Sequence, residues 1–340
     1  MKNEIEEKFI NGKPEDIYSK LAVEPVLRTY LLSLIAANFV RNRKQIIDFF
    51  RKTFWAYQFT DMERLEEIID KMLALLEEWE FIKSKEEDFA SADEIDSGTI
   101  KATILGKRVA ELYIDPLTAY YLIECLRKAT NKELKPFSFL QAISHTLEMK
   151  PLLRVKTKEY EKIEEALVKY SDNLLMEEPS MYDLEYEDFI KSVKTALFME
   201  DWINEKSEEE LLESYDIRPG EIRVKLDNGD WLLYSTQELC RILKFQKLIK
   251  EITKVRLRLK NGVKEELLPL LRLKNIGRVR ARRLFNNRIK TIEDVKKVNI
   301  VTLKAILGEG IALDVKEQVG QKIKIVKEHK RKGQISLGDY

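Results

Sequence analysis

At 340 residues the chain has room for two or three domains with cores of their own. Two cysteines and two histidines exclude a disulfide framework, a histidine-built metal site and a histidine-dependent triad. No run of about 18 apolar residues offers a membrane span, and Met1-Lys2-Asn3 opens no signal peptide, so the expectation is a soluble, cytoplasmic protein.

The net charge of +1 hides a division. From Arg241 to Tyr340 there are 27 Lys+Arg against 10 Asp+Glu, a net of +17, which leaves −16 on the residues before. A basic final third beside an acidic remainder implies a polyanionic partner for the former. Solvated helix faces account for part of the same charge, as in heat-adapted proteins.

Residues 1–23 hold a short charged helix and the breaker Asn11-Gly12-Lys13-Pro14, too little for a domain. Apolar spacing then predicts helices over 24–39, 44–57 and 61–79, carried by Leu27, Leu31, Ile35, Ile46, Phe50, Leu65, Ile69, Met72 and Leu76 among others. Phe81-Ile82 and residues 99–103 read as two short strands around an acidic loop. Three helices and a hairpin make a winged helix. Its third helix carries Asp61, Glu63, Glu66, Glu67, Asp70, Glu77 and Glu78, which argues against phosphate contact and for a packing role.

From Leu105 to about Leu268 the chain reads as nearly all helix, with breaks at Lys135-Pro136, Lys150-Pro151, Pro179-Ser180 and Arg218-Pro219-Gly220. No repeat stands out, so the expectation is a bundle. Cys125 and Cys240 sit in apolar helical patterns and read as small core residues. One helix, from about 187 to 204, aligns Lys191, Thr195, Phe198 and Trp202 along a narrow stripe with Lys194 beside it. Cations followed by aromatic rings suit stacking on the bases of a single strand. An aromatic stripe at this spacing is also what a core looks like.

Residues 270–295, LLRLKNIGRVRARRLFNNRIKTIEDV, place a turn at Asn275-Ile276-Gly277-Arg278 between two short amphipathic patterns. The first presents Leu270, Leu271 and Leu273. The second presents Val279, Ala281, Leu284 and Phe285 inward and leaves Arg278, Arg280, Arg282 and Arg283 for other faces. Gly277 entering a helix leaves backbone N–H groups free for a phosphate oxygen, and the arginines add charge without reading base order. This is a helix-hairpin-helix pattern, with Asn275 where a second glycine is usual; asparagine tolerates the left-handed conformation. An ordinary turn before a solvated basic helix is the plainer reading. Residues 298–318 continue a small helical domain with Gly308 and Gly310 as breaks, and 322–332 form a basic helix. The ending QISLGDY spaces Gln334, Leu337 and Tyr340 as a short anchor set.

No phosphate-binding loop exists, since Gly12-Lys13 and Gly106-Lys107 lack the earlier glycine and the following Ser or Thr. No Asp-Glu box follows a strand. The chain by itself does not read as a catalyst, and no residue is assigned to a metal.

Several segments together resemble one family. PEDIYSKLAVEPVLRTYLLSLIA (14–36), GTIKATILGKRVAELYIDPLTA (98–119), SVKTALFMEDWINEKSEEELLESYDI (192–217), DWLLYSTQEL (230–239) and LLRLKNIGRVRARRLFNN (270–287) are similar, in order, to the carboxyl-terminal half of the archaeal superfamily-two DNA repair helicases known as Hjm, or Holliday junction migration helicases, relatives of the helicase part of polymerase theta.

The resemblance implies a mainly α protein: a lead-in from a missing RecA-like motor (1–23), a winged helix with a small β-hairpin (24–110), a helical ratchet domain (111–262), a helix-hairpin-helix domain (263–330) and a flexible tail (331–340). It places DNA contacts on Lys194 or Thr195 and on Trp202, beside Lys191 and Phe198, and on the hairpin's Gly277, Arg278, Arg280, Arg282 and Arg283. The tail resembles a sliding-clamp (PCNA) binding peptide with one aromatic instead of two.

The implied function is the non-catalytic, single-strand-gripping half of an ATP-dependent 3′-to-5′ DNA helicase in fork repair and recombination. ATP and Mg would sit on the RecA-like motor half, and the partners would be single-stranded or forked DNA, that motor and the clamp. The alternatives are a free-standing DNA-binding protein and a clamp adaptor without a motor.

Overall fold

A computed structural model describes residues 2–12, 16–21, 23–58, 61–85 and 98–321. The fold is mainly α with a single two-stranded sheet among the described residues. Contacts divide the chain into two compact units. One comprises the residues up to Glu200 with Leu212–Arg256, the other Asp201–Leu211 with the chain from Leu257 onward.

The first unit opens with the short helical stretches Lys2–Ile5 and Glu6–Ile10. Helices α1 (Glu24–Ala36), α2 (Arg43–Phe50), α3 (Phe54–Gln58) and α4 (Met62–Glu78) follow. The span expected as one helix over 44–57 breaks at Arg51–Thr53, where Thr53 Oγ1 donates to the Phe50 carbonyl. Leu27, Leu31, Ile35, Ile46, Phe50, Leu65, Ile69, Met72 and Leu76 form the core predicted from their spacing. Asp61 caps α4 by accepting from the Arg64 N–H. The acidic face of α4 has an internal use, because Glu66 and Asp70 hold Arg43 and Glu66 also holds Arg51.

Strands β1 (Ile82–Lys85) and β2 (Thr99–Ala102) pair antiparallel, Ile82 opposite Ala102. Helix α5 (Ile104–Leu112) begins at once, capped by Thr103. Gly106 is required there, since a Cβ would lie 1.9 Å from the Phe81 carbonyl oxygen.

Helices α6 (Pro116–Ala129), α7 (Pro136–Ser144), α8 (Tyr160–Tyr170), α9 (Tyr186–Ile203), α10 (Glu208–Tyr215), α11 (Pro219–Ile242) and α12 (Gln246–Asn261) make the bundle. Two of them, α7 and α11, start at prolines that the sequence offered as breaks, and α6 starts at Pro116. α11 packs on α5, α6 and α7. The buried Arg28–Asp115 pair, with contacts of 2.5 and 2.7 Å, ties α1 to the start of α6. Both cysteines are buried and free, and burial pushes each thiol up to about 12.

The second unit takes the last turn of α9, the turn after it, the first half of α10 and the end of α12. It adds two 3₁₀ turns at Glu265–Leu267 and Leu270–Arg272, and helices α13 (Arg278–Asn286), α14 (Ile292–Lys297), α15 (Ile300–Leu307) and α16 (Glu309–Gln318). Leu267, Leu270, Leu273, Ile276, Ala281, Leu284, Val295, Leu303 and Val315 are in its core. Gly308 breaks the chain at φ 82°, whereas Gly310, expected as a second break, lies inside α16. The residues 322–340, with the expected basic helix and the anchors Gln334, Leu337 and Tyr340, lie outside the described residues.

Candidate nucleic-acid interface

Helix α9 is buried on nearly every side through its middle, with Val193, Ala196, Phe198 and Met199 all sealed. A helix enclosed on so many sides belongs to a core. The expected stripe therefore divides. Phe198 is fully buried, edge-on to Tyr215 with ring centres 5.9 Å apart, and has no face for a base. Thr195 is fully buried; its hydroxyl donates to the Lys191 carbonyl at 2.8 Å and accepts from the Leu153 N–H at 3.2 Å.

Lys194 is buried too, and its ammonium donates to Glu159 and to the Arg154 carbonyl, both at 2.7 Å. Burial pushes the Glu159 carboxyl up, but Lys194 and the Lys156 N–H outweigh it and hold the carboxyl below its usual range. Lys191 keeps partial exposure and pairs with Glu187 at 2.6 Å. Of the stripe, Trp202 is the aromatic that stays half-buried.

Trp202 falls in the second unit, where three neighbours fix it. Its indole N–H donates to the Leu259 carbonyl at 2.7 Å. The chain then turns at Gly262, φ 61°, so close that a Cβ there would lie 2.7 Å from Cε2 and 2.8 Å from Cζ2 of the ring. The Arg278 guanidinium lies 4.9 Å above the ring centre and donates to the Lys206 carbonyl at 2.7 Å. Burial pushes the Arg278 guanidinium below its ordinary value against the nearby charges of Glu205, Glu210 and Glu208.

The turn at 275–278 has the expected backbone. Asn275 is left-handed at φ 63°, and its side chain donates to Asp314 at 2.9 Å. Gly277 is extended, a conformation open to any residue, and a Cβ there would meet nothing within 4 Å. No side chain caps the start of α13, so its first N–H groups keep the open approach that suits an anion.

The stretch before the turn is a pair of 3₁₀ turns in place of the amphipathic helix expected there. Ala281 and Leu284 are buried and Phe285 partly so, but Val279, expected inward, is 62% exposed. It occupies the second position of α13, ahead of the buried Ala281, and the apolar face begins only at the latter.

The four arginines have different surroundings. Arg282 holds Glu205 through Nε and Nη2, both at 2.7 Å, and Glu266 through Nη1 at 2.8 Å. Burial pushes Glu205 up, yet the hydrogen bonds from Arg282 and the Lys264 N–H, with the charge of Arg278, bring it below its usual range. Arg280 is exposed and touches the Asn275 carbonyl at 2.9 Å. Arg283 is exposed. Some of the basic excess is likewise spent inside: Arg258 binds the Val263 and Ile203 carbonyls, and buried Lys316 binds those of Lys296 and Val298.

Glu205 and Gly262 are the members of this cluster that sequence reasoning missed. Asn261-Gly262 at the end of a long helical pattern is a recognisable helix stop, but nothing local shows that it faces a tryptophan sixty residues earlier.

Residues 137–262 match the family described as archaeal helicase, domain 4. The chain is similar to part of a Hel308-type DNA helicase. It is 39% identical over 313 residues to the ATP-dependent DNA helicase Hel308 of Methanocaldococcus jannaschii, covering 92% of this chain and 24% of that protein. With the Pyrococcus horikoshii protein of the same name the identity is 36% over 335 residues, covering 97% and 44%. With that of Methanococcus vannielii it is 34% over 357 residues, covering 94% and 46%. The chain thus spans less than half the length of the curated relatives it matches.

The domain-4 match contains Lys191, Lys194, Thr195, Phe198, Trp202 and Gly262, and stops before the arginine hairpin. Among the described residues no cluster of His, Cys, Asp and Glu could hold a metal, and no helix is long and apolar enough to cross a membrane.

Proposed function

We propose that this chain is the single-strand-gripping part of an ATP-dependent 3′-to-5′ DNA helicase of the Hjm type, acting in fork repair and recombination. In this reading residues 24–110 serve as a winged helix, 111–262 as the ratchet domain and 263–330 as a helix-hairpin-helix domain. ATP and Mg bind a RecA-like motor outside this chain. Trp202 stacks on a base, and the open start of α13 with Arg280 and Arg283 holds phosphate.

The observation that carries the reading is one cluster: Trp202 stands within 5 Å of a guanidinium from the uncapped first turn of the arginine hairpin. A flat ring and a cationic phosphate cradle on one unit are what a single strand requires, one for its bases and the other for its backbone. The similarity to proteins named ATP-dependent DNA helicase supports the same assignment.

The test has two parts. Fluorescence anisotropy with a labelled single strand should show affinity that falls steeply with salt, about 0.7 in logarithmic slope per phosphate neutralised. Mixing the chain with a RecA-like helicase half should yield DNA-stimulated ATP hydrolysis and unwinding that the chain alone lacks. Salt-insensitive or absent single-strand binding would refute the reading.

A further inference from the structure

The hairpin arginines divide in a way the sequence does not announce. Arg280 and Arg283 face solvent, while Arg278 and Arg282 are half-buried. Arg282 is engaged by two carboxylates. Arg278 has a different pair of neighbours, the Trp202 ring and the Lys206 carbonyl, so a planar cation lies on a planar ring and is tethered at its far branch. Gly262 approaches the same ring, with its would-be Cβ also 3.2 Å from Arg278 Nη1. Trp202 is thereby held by a hydrogen bond in its plane, a backbone turn against its six-membered ring and a guanidinium over one face. With Arg278 over one face, stacking on a base requires the other.

We propose that Arg278 is a positioning residue, which fixes the plane of Trp202 for stacking and leaves phosphate contact to Arg280 and Arg283. The inference rests on the single-strand reading above for its use, though the ring-holding role stands by itself. It reassigns Arg278 from gripping the strand to supporting the residue that does.

Trp202 is the one tryptophan of the second unit, since Trp55, Trp79 and Trp231 all fall in the first. Its emission is therefore obtained as the difference between the parent and Trp202→Phe. Arg278→Lys keeps the charge and loses the planar fork; Arg278→Met keeps the length and loses the charge.

Both variants should raise acrylamide quenching of Trp202 without DNA. Both should weaken affinity for a labelled oligothymidine roughly fivefold, the value of one stacked cation–π contact, with the salt slope unchanged. Arg280→Ala and Arg283→Ala should each reduce that slope by about 0.7 and leave the quenching as it was.

Arg278→Met reducing the slope like Arg280→Ala, with Arg278→Lys retaining it, would make Arg278 a phosphate contact and overturn the proposal. So would unchanged Trp202 quenching in both variants. If the parent chain binds no single strand, the function proposed above fails, and the quenching experiment still decides whether Arg278 holds the ring.

Discussion

Replacing Gly262 with alanine puts a methyl group where the Trp202 ring already stands. The backbone there is left-handed at φ 61°, which costs a residue with a Cβ about 1–2 kcal/mol. The new carbon would lie 2.7 and 2.8 Å from two ring carbons, against about 3.5–4.0 Å for comfortable carbon contact. The ring or the turn must give by about 1 Å. Such a shift breaks the 2.7 Å bond from the indole N–H to Leu259, a further loss of about 1 kcal/mol. The sum is about 2–3 kcal/mol, placed on the second unit.

Urea unfolding followed at the Trp202 emission, isolated by difference from Trp202→Phe, measures it. The midpoint should fall and the folded-state emission should shift towards that of a solvated indole. A Gly262→Ala protein within about 0.5 kcal/mol of the parent, with unchanged emission, would show that the turn does not hold the ring as described.

Gly277→Ala is the contrasting case. Its extended backbone and open surroundings predict a stability change within about 0.5 kcal/mol, while a methyl group at the uncapped helix start should weaken single-strand binding measured by anisotropy. Phe198→Ala should destabilise the first unit by about 3–5 kcal/mol in thermal unfolding, as a core deletion does; near-unchanged stability would return this ring to the list of base contacts. Lys194→Met should cost about 3 kcal/mol by taking the ammonium from the partly buried Glu159 carboxylate and leaving it the Lys156 N–H, and the folded variant should bind a single strand as the parent does.

Glu205 supplies a pH test. Its carboxyl is held below its ordinary 4.5, so its contribution is fully present above that value and is lost as pH falls from there through the depressed folded value. Acid titration of the Trp202 emission should show the second unit weakening in that window. Glu205→Gln should be less stable at neutral pH by about 2 kcal/mol and less acid-sensitive.

Helix α9 shows how far spacing carries an argument. Its helical period was legible, and its limits fell within a residue of expectation. Which face served what was not, because a core and a stacking surface use the same aromatic residues at the same interval. Phe198 and Trp202 lie one turn apart, yet one is sealed against Tyr215 and the other half-buried beside an arginine. The neighbours that separate them, Tyr215 and Arg278, come from elsewhere in the chain.

The amino-acid sequence alone determined what depends on near neighbours. Apolar periods, capping residues and helix-initiating prolines specified the mainly α fold and its hairpin, and Asn275 allowed the left-handed turn. Tertiary structure decided which charges remain available. Arg278, Arg282, Lys194 and Lys316 are as cationic in sequence as Arg280 and Arg283, but burial leaves a cation tolerable only with carboxylates, carbonyls or a ring as partners. Those partners lie tens of residues away, as Glu205 does from Arg282, so only the folded chain separates the residues that hold the unit together from those left to meet a polyanion.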